Sequence, residues 1–263
     1  MSKSNASKKS KTCKVCGKEI PSDSKRYKYC SQKCKWKFWN DKKERKTSKS
    51  YSKAKKAREK DLNKDEKQII LGTLLGDGYL CKTTNSYCLS LCQSYKQHNY
   101  LKWKKDKLSS IIHADLYHYE EGKYNQYHVK SISHPYLANI RKQLYKPKKQ
   151  VTYDYLNKIE SLGLAVWYMD DGSFNENSQS KQITLSTESF GEKGNEIIND
   201  WLLDKWNIPS TIIEYTQRKR GYSTSRKQQF RLVINKYPSL DFFEIIKEHI
   251  PKSMLYKLPN QFK

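Results

Sequence analysis

The feature that most constrains this sequence occurs twice, and each time it is an apolar run ending in an aspartate and a glycine. Ile69-Ile70-Leu71-Gly72-Thr73-Leu74-Leu75-Gly76-Asp77-Gly78-Tyr79 is the first run, and Leu162-Gly-Leu-Ala-Val-Trp-Tyr-Met-Asp-Asp-Gly-Ser-Phe174 is the second. Both read as helices, and the glycine after each acid predicts closure in the left-handed conformation. An acid at that end opposes the partial negative charge of the unpaired carbonyls, so something must offset it. Helices packed side by side would bring Asp77 and Asp171 together, where two carboxylates repel unless a divalent cation or a proton lies between them. A hard metal is the simplest answer. Gly72 and Gly76, one turn apart, predict a close helix approach, met on the second helix by Ala165 and Met169.

Asp77 and Asp171 are 94 residues apart, and the same offset lays Leu91-Cys92-Gln93-Ser94 over Leu185-Ser186-Thr187-Glu188. Both tetrapeptides close an alternating, strand-like segment. A duplicated unit with one acidic helix per copy implies a pseudo-twofold monomer whose acids converge on the axis. Around each acid the pattern predicts mixed elements. The first copy reads as helix 66–77, strands 79–83 and 87–94, helix 97–110, strands 113–120 and 125–132, and helix 134–144. The second reads as helix 161–171, strand 181–188, helix 191–206, strands 210–217 and 229–235, and helix 239–249. That order is α+β with antiparallel sheets.

The stretches Ile70-Leu71-Gly72-Thr73-Leu74-Leu75-Gly76-Asp77-Gly78 and Leu164-Ala165-Val166-Trp167-Tyr168-Met169-Asp170-Asp171-Gly172 resemble the two signature helices of the LAGLIDADG homing endonucleases in their single-chain form. The resemblance covers about residues 65 to 260 and includes the closing Met254-Leu255-Tyr256-Lys257-Leu258-Pro259. Val166, where the family often has glycine, and Thr73, where it often has an apolar residue, depart from the pattern and bear on helix packing rather than on the acids. The resemblance implies two αββαββα halves whose sheets form a saddle over duplex DNA. It also implies a lysine near each acid, at Lys148 or its neighbour Lys149 and at Lys257.

Phosphodiester hydrolysis needs an activated water, stabilisation of charge on the transition state and help for the leaving 3′ oxygen, all of which two carboxylates holding Mg²⁺ can supply. Asp77 and Asp171 are the expected ligands. Gly76 and Asp170, immediately before them, belong to the same metal neighbourhood, Asp170 as a helix-end surface acid rather than a ligand. Gln93 and Thr187, equivalent in the repeat, are expected to orient water or support the ligands. Polar residues alternating along the strands suit readout of base edges: Ser90, Gln93, Gln126, His128 and Lys130 in the first copy, and Ser186, Gln217, Gln228 and Arg231 in the second. Arg218, Lys219 and Arg220 open a basic hairpin loop suited to gripping phosphate.

Formal net charge is +25, of which +17 falls in the first 60 residues, where 22 lysines and arginines face 5 acids. Such an excess points to a polyanionic partner. Residues 1–10 read as a disordered basic arm. Cys13, Cys16, Cys30 and Cys34 follow with the spacing C-x2-C-x13-C-x3-C, which without a secretory signal favours a structural, tetrahedral Zn²⁺ over disulfides. With Gly17 at the knuckle and a helix through Trp36, Phe38 and Trp39, residues 11–40 resemble a treble-clef zinc finger. Residues 41–64 read as a basic linker, helical in part over 53–60, followed by a first half (65–150) and a second half (151–263). Cys81, Cys88 and Cys92 lack ligand spacing and are expected to pack as small apolar residues.

No apolar run reaches membrane-spanning length, so the expectation is an intracellular protein. The whole reads as a sequence-specific endonuclease making a staggered double-strand break, with double-stranded DNA as its expected partner and intron RNA as a further candidate. A maturase that binds intron RNA and a regulator that binds DNA without cutting are the alternatives of the same fold.

Overall fold

The computed structural model describes residues 11–21, 28–84, 86–145, 148–177, 179–218 and 226–263, with backbone alone for 42–54, 217–218 and 226–227. The chain divides into two compact units, Met1–Glu59 and Lys60–Lys263. The expected arm, 1–10, lies outside the described residues.

In the first unit a short antiparallel hairpin, β1 (Lys11–Thr12) and β2 (Glu19–Ile20), precedes a helix, α1 (Gln32–Glu59). The expected linker is therefore mostly helix, and the expected boundary at residue 40 falls inside α1. The composition explains this: residues 32–59 contain neither glycine nor proline and are rich in lysine, which loses little rotamer freedom in a helix.

The second unit opens with α2 (Lys64–Leu75), started by a capping box in which Asn63 accepts from the Glu66 amide at 2.8 Å and the Glu66 carboxylate accepts from the Asn63 amide at 2.9 Å. There follow β3 (Tyr79–Lys82), β4 (Tyr87–Ser94), α3 (His98–Lys107), β5 (Tyr117–Glu121), β6 (Tyr124–Lys130) and α4 (Pro135–Leu144). A single-turn helix, α5 (Tyr153–Leu156), leads into the second copy: α6 (Ser161–Asp171), β7 (Gly172–Phe174), β8 (Ile183–Leu185), α7 (Gly191–Trp206), β9 (Thr211–Arg218), β10 (Arg226–Ile234) and α8 (Lys236–Ile246). The sheets are antiparallel with the same topology, β3-β4-β6-β5 and β7-β8-β10-β9. The fold is the expected α+β arrangement of two αββαββα copies. Strand β7 was invisible in the sequence because Gly-Ser-Phe carries no alternation, and β5 starts at Tyr117 rather than at residue 113.

Helices α2 and α6 lie at the centre of this unit. Every residue from Ile69 to Leu75 and from Gly163 to Met169 is buried, as expected of a helix apolar on all sides. They touch almost backbone to backbone: a Cβ on Gly72 would lie 2.2 Å from the Gly163 carbonyl and 2.9 Å from the Val166 Cβ. The facing residues are thus Gly163, Val166 and Asp170, not the expected Ala165 and Met169, and Gly72 makes the room that Val166 occupies. Gln68 ties the helices further, donating to the Lys158 carbonyl (2.8 Å) and accepting from the Glu160 amide (2.7 Å). Among the described residues no helix is long and apolar enough to cross a membrane.

Candidate active site

The central helices end side by side, and each end carries its aspartate. Asp77 lies two residues past the last residue of α2 and is exposed, whereas Asp171 is the last residue of α6 and half-buried. The glycines after the acids do not close the helices in the left-handed region: neither Gly78 nor Gly172 has a positive φ, Gly172 lying at −82°, and Gly76 before Asp77 lies at −91°. Their neighbours explain them better. A Cβ on Gly172 would strike the Tyr168 ring at 2.1 Å, one on Gly78 the Thr73 methyl at 2.4 Å, and one on Gly76 the Asp170 Cβ at 2.4 Å.

The electrostatic conflict at these ends is met first by lysines. Lys149 donates to the carbonyls of Leu75 (3.1 Å) and Gly76 (3.2 Å) at the end of α2. Lys257 does the same for α6, donating to Met169 (2.5 Å) and Gly172 (2.8 Å). Each ammonium thus satisfies orphan carbonyls and offsets the helix dipole. Burial lowers the pKa of both lysines, and the aspartates pull it back up. Tyr168 steadies Lys257 by donating to its carbonyl at 2.6 Å.

Asp171 has its pKa pushed up to about 7, first by burial and then by the charges of Asp77 and Asp170, with Lys149 and Lys257 opposing. Burial and the neighbouring acids thus disfavour the ionised form of Asp171 even with two lysines close by, and the donors at the two helix ends are hard carboxylate oxygens, a chemistry that suits a divalent cation such as Mg²⁺. Gln93, at the end of β4, donates to Asp77 Oδ2 at 2.9 Å and fixes that carboxylate.

Asp170 is not the expected surface acid. Its side chain is fully buried, and Lys104 of α3 grips both carboxylate oxygens at 2.7 and 2.8 Å while Tyr100 donates at 2.9 Å. Burial raises its pKa and Lys104 lowers it. Lys104 and Tyr100 escaped the sequence reading, yet a signal existed: Tyr100, Leu101, Lys104 and Leu108 form one helical stripe, and a lysine within such a stripe calls for a buried acid.

Other expected positions need correction. Lys148 is exposed, and its neighbour Lys149 occupies the helix end. Thr187 does not mirror Gln93: it is buried, its hydroxyl bonded to Asn195 and accepting from the Leu232 amide at 3.1 Å, so it braces β8, α7 and β10. Strand parity sorts the nucleic-acid candidates. In the first sheet Leu80, Leu89, Leu91 and Val129 face the core, so Ser90, Gln126, His128 and Lys130 lie on the opposite face together with Cys81, Cys88 and Cys92. Those three cysteines thus share the parity of the polar face, where Cys88 is nonetheless buried and Cys81, part-buried, pairs directly with it. Ser90 is itself buried, and Gln93 shares the core-side parity of Leu89 and Leu91.

In the second sheet Ser186 is exposed and its amide donates to the Asp171 carbonyl at 3.0 Å, beside the acid. Arg231 lies 4.7 Å from the Tyr215 ring on the face opposite Leu232. Gln228 shares the parity of Leu232 and donates to Glu214 at 2.5 Å, so it belongs to the other face. The backbones of Gln217 and Arg218 end β9, and Lys219 and Arg220 lie outside the described residues.

In the first unit Cys13, Cys16, Cys30 and Cys34 bring their sulfurs within 4.8 Å of one another. Gly17, at φ +71°, turns the hairpin so that its amide reaches the Cys13 carbonyl at 3.0 Å. Ser31 accepts from the Cys34 amide at 3.2 Å at the start of α1, setting the second pair.

Comparison with known proteins agrees with this geometry. The family model described as the LAGLIDADG DNA endonuclease family matches residues 67–237. The chain is 29% identical over 216 residues to Protein RecA of Mycolicibacterium chitae, covering 77% of this chain and 48% of that protein, so it spans about half the length of such curated relatives. It is 24% identical over 147 residues to the probable intron-encoded DNA endonuclease 3 of Mycosarcoma maydis, covering 54% of this chain and 98% of that one. In fold it is similar to the homing endonuclease I-WcaI bound to its DNA recognition sequence, with a TM-score of 0.66, 20% identity, and coverage of 78% of this chain and 91% of the other.

Proposed function

The chain belongs to the LAGLIDADG DNA endonuclease family, and on that premise we propose that it is a homing endonuclease that makes a staggered break at one site in double-stranded DNA. The observation that carries this reading is the pair of acids at abutting, lysine-capped helix ends, with the ionised form of Asp171 disfavoured by burial and by the acids beside it. Asp77 and Asp171 are the residues that would hold Mg²⁺. When bound, the cation supplies Lewis-acid charge to a phosphate and lowers the pKa of its water. Gln93 holds the Asp77 carboxylate in one orientation. Lys149 and Lys257, fixed by carbonyls on both helix ends, keep positive charge where a phosphate would develop negative charge. The outward faces of the two sheets, with Gln126, His128, Lys130, Ser186 and Arg231, would meet the bases and phosphates of the duplex.

The four cysteines would hold a structural Zn²⁺. Tetrahedral Zn–S bonds of about 2.3 Å give sulfur–sulfur edges of about 3.8 Å. The Cys16–Cys30, Cys30–Cys34 and Cys34–Cys16 separations are 3.4, 3.6 and 3.7 Å, which supports the fit. A unit this small gains its folding energy from the metal.

Selection of cleaved molecules from a randomised duplex library in Mg²⁺ tests the proposal. One recovered target motif, cut on both strands, supports it. An uncut library together with tight binding of intron RNA would replace it with the maturase reading.

A further inference from the structure

The buried Lys104–Asp170 pair has no part in the reading above, and among the described residues nothing equivalent exists in the other copy. At the offset that relates Asp77 to Asp171, Asp170 corresponds to Gly76, Lys104 to Ile198 and Tyr100 to Gly194, which offer no carboxylate, ammonium or hydroxyl. Lys104 and Asp170 have side chains 1% and 0% exposed, so a charge pair has been taken wholly out of water at one helix end alone. Desolvating two charges is costly, and such a pair is weak evidence of stability for its own sake.

Its location suggests another use. The Asp170 carboxylate accepts from the Asp77 amide at 3.4 Å, and its Cβ packs directly against Gly76. Asp77 needs this more than Asp171 does. Asp171 ends α6 within the helix, whereas Asp77 stands past the end of α2: the amides of Gly76 and Gly78 on either side of it still reach the carbonyls of Gly72 and Thr73, while its own amide turns to the Asp170 carboxylate.

We propose that Lys104 and Tyr100 are positioning residues for Asp77, acting through Asp170, and that this brace serves one of the two strand cuts and not the other. Asp170 is thereby an anchor rather than a metal ligand, its two oxygens being shared among Lys104, Tyr100 and the Asp77 amide. The inference rests on the endonuclease reading for its consequence, but its structural content can be tested apart from cleavage.

The experiment uses the full chain, with single-turnover cleavage of a duplex labelled on both strands in Mg²⁺. Lys104→Met is expected to slow one strand about tenfold or more while the other stays within about threefold, so that nicked duplex accumulates. Tyr100→Phe should shift the same ratio in the same direction by less, and Lys104→Arg should restore much of it. Because an unpaired buried charge threatens folding, Lys104→Met/Asp170→Ala removes both charges together and should fold while keeping the unequal strand rates. Equal slowing of both strands in these variants would overturn the proposal, since a merely structural pair would act on both alike. In parallel, ¹⁵N-aspartate spectra of the DNA-free protein should show the Asp77 amide moved in Tyr100→Phe and in the double variant, with the Asp171 amide unmoved in Tyr100→Phe. Unchanged Asp77 resonances would refute the brace even if the wild type cut no DNA, and an uncut duplex with a moved Asp77 amide would refute the endonuclease reading while leaving the brace standing.

Discussion

At the end of α2, Asp77 is exposed, its carboxylate tied by Gln93 and its amide by Asp170; at the end of α6, Asp171 is half-buried, held within the helix itself, with its charge opposed by Lys149 and Lys257. The two acids hold the same place in a duplicated unit, yet what surrounds them has diverged. The lysine caps remain symmetric, one per helix end. Everything behind the caps is asymmetric: Gln93 against Thr187, Gly76 against Asp170, Ile198 against Lys104. Duplication has kept the backbone that delivers an acid to the axis, while the means of holding that acid is set by side chains arriving from other elements.

The largest effect that separates the halves is expected at the buried pair. Lys104→Met takes from the buried Asp170 carboxyl the only counter-ion that touches it among the described residues and should cost about 3–5 kcal/mol in urea unfolding. The corresponding Ile198→Met in the second copy should cost less than about 1.5 kcal/mol, since it conserves volume. Equal losses would break the comparison. At the helix crossing, Gly72→Ala forces α2 and α6 apart and should cost about 1–3 kcal/mol.

The Gln93 and Thr187 positions should part in kind. Thr187→Val strands the Leu232 amide and Asn195 and should lower stability by about 1–3 kcal/mol, with cleavage retained below the melting point. Gln93→Ala should lower cleavage by about tenfold or more while the protein stays folded.

The smallest effect is a linkage between pH and metal. The folded pKa of Asp171, about 7, lies above its ordinary 3.8, so the folded chain binds this proton more tightly than the unfolded one. That contribution is fully present below about pH 4 and is lost as pH rises through about 7. A cation takes over from the proton only once the carboxylate is free. Mg²⁺ should therefore raise the melting temperature more at pH 8 than at pH 5, and an equal rise at both would argue against Asp171 as a ligand.

Much of this was legible in the sequence, for identifiable reasons. Buried helices that end in Asp-Gly, a constant offset of 94 and alternating strands gave the paired copies and their acids, because periodicity and duplication are local properties of a chain. The cysteine spacing likewise led to four sulfurs in one cluster. What stayed hidden depends on which residue of a loop or strand faces which way. Which of Lys148 and Lys149 reaches the helix end was left open, a one-residue difference in a loop. Thr187 leaves the strand after Leu185 and turns inward to Asn195. Asp170 looked like a solvated acid because its partners lie on α3, nearly 70 residues earlier in the chain.

Strand cleavage by Asp77→Asn and by Asp171→Asn, each measured beside duplex binding on the selected target, tests the central claim most directly. If the two acids form one metal-dependent centre, each variant binds the duplex as the wild type does and neither makes a double-strand break in Mg²⁺. Undiminished double-strand cutting by either variant would contradict it.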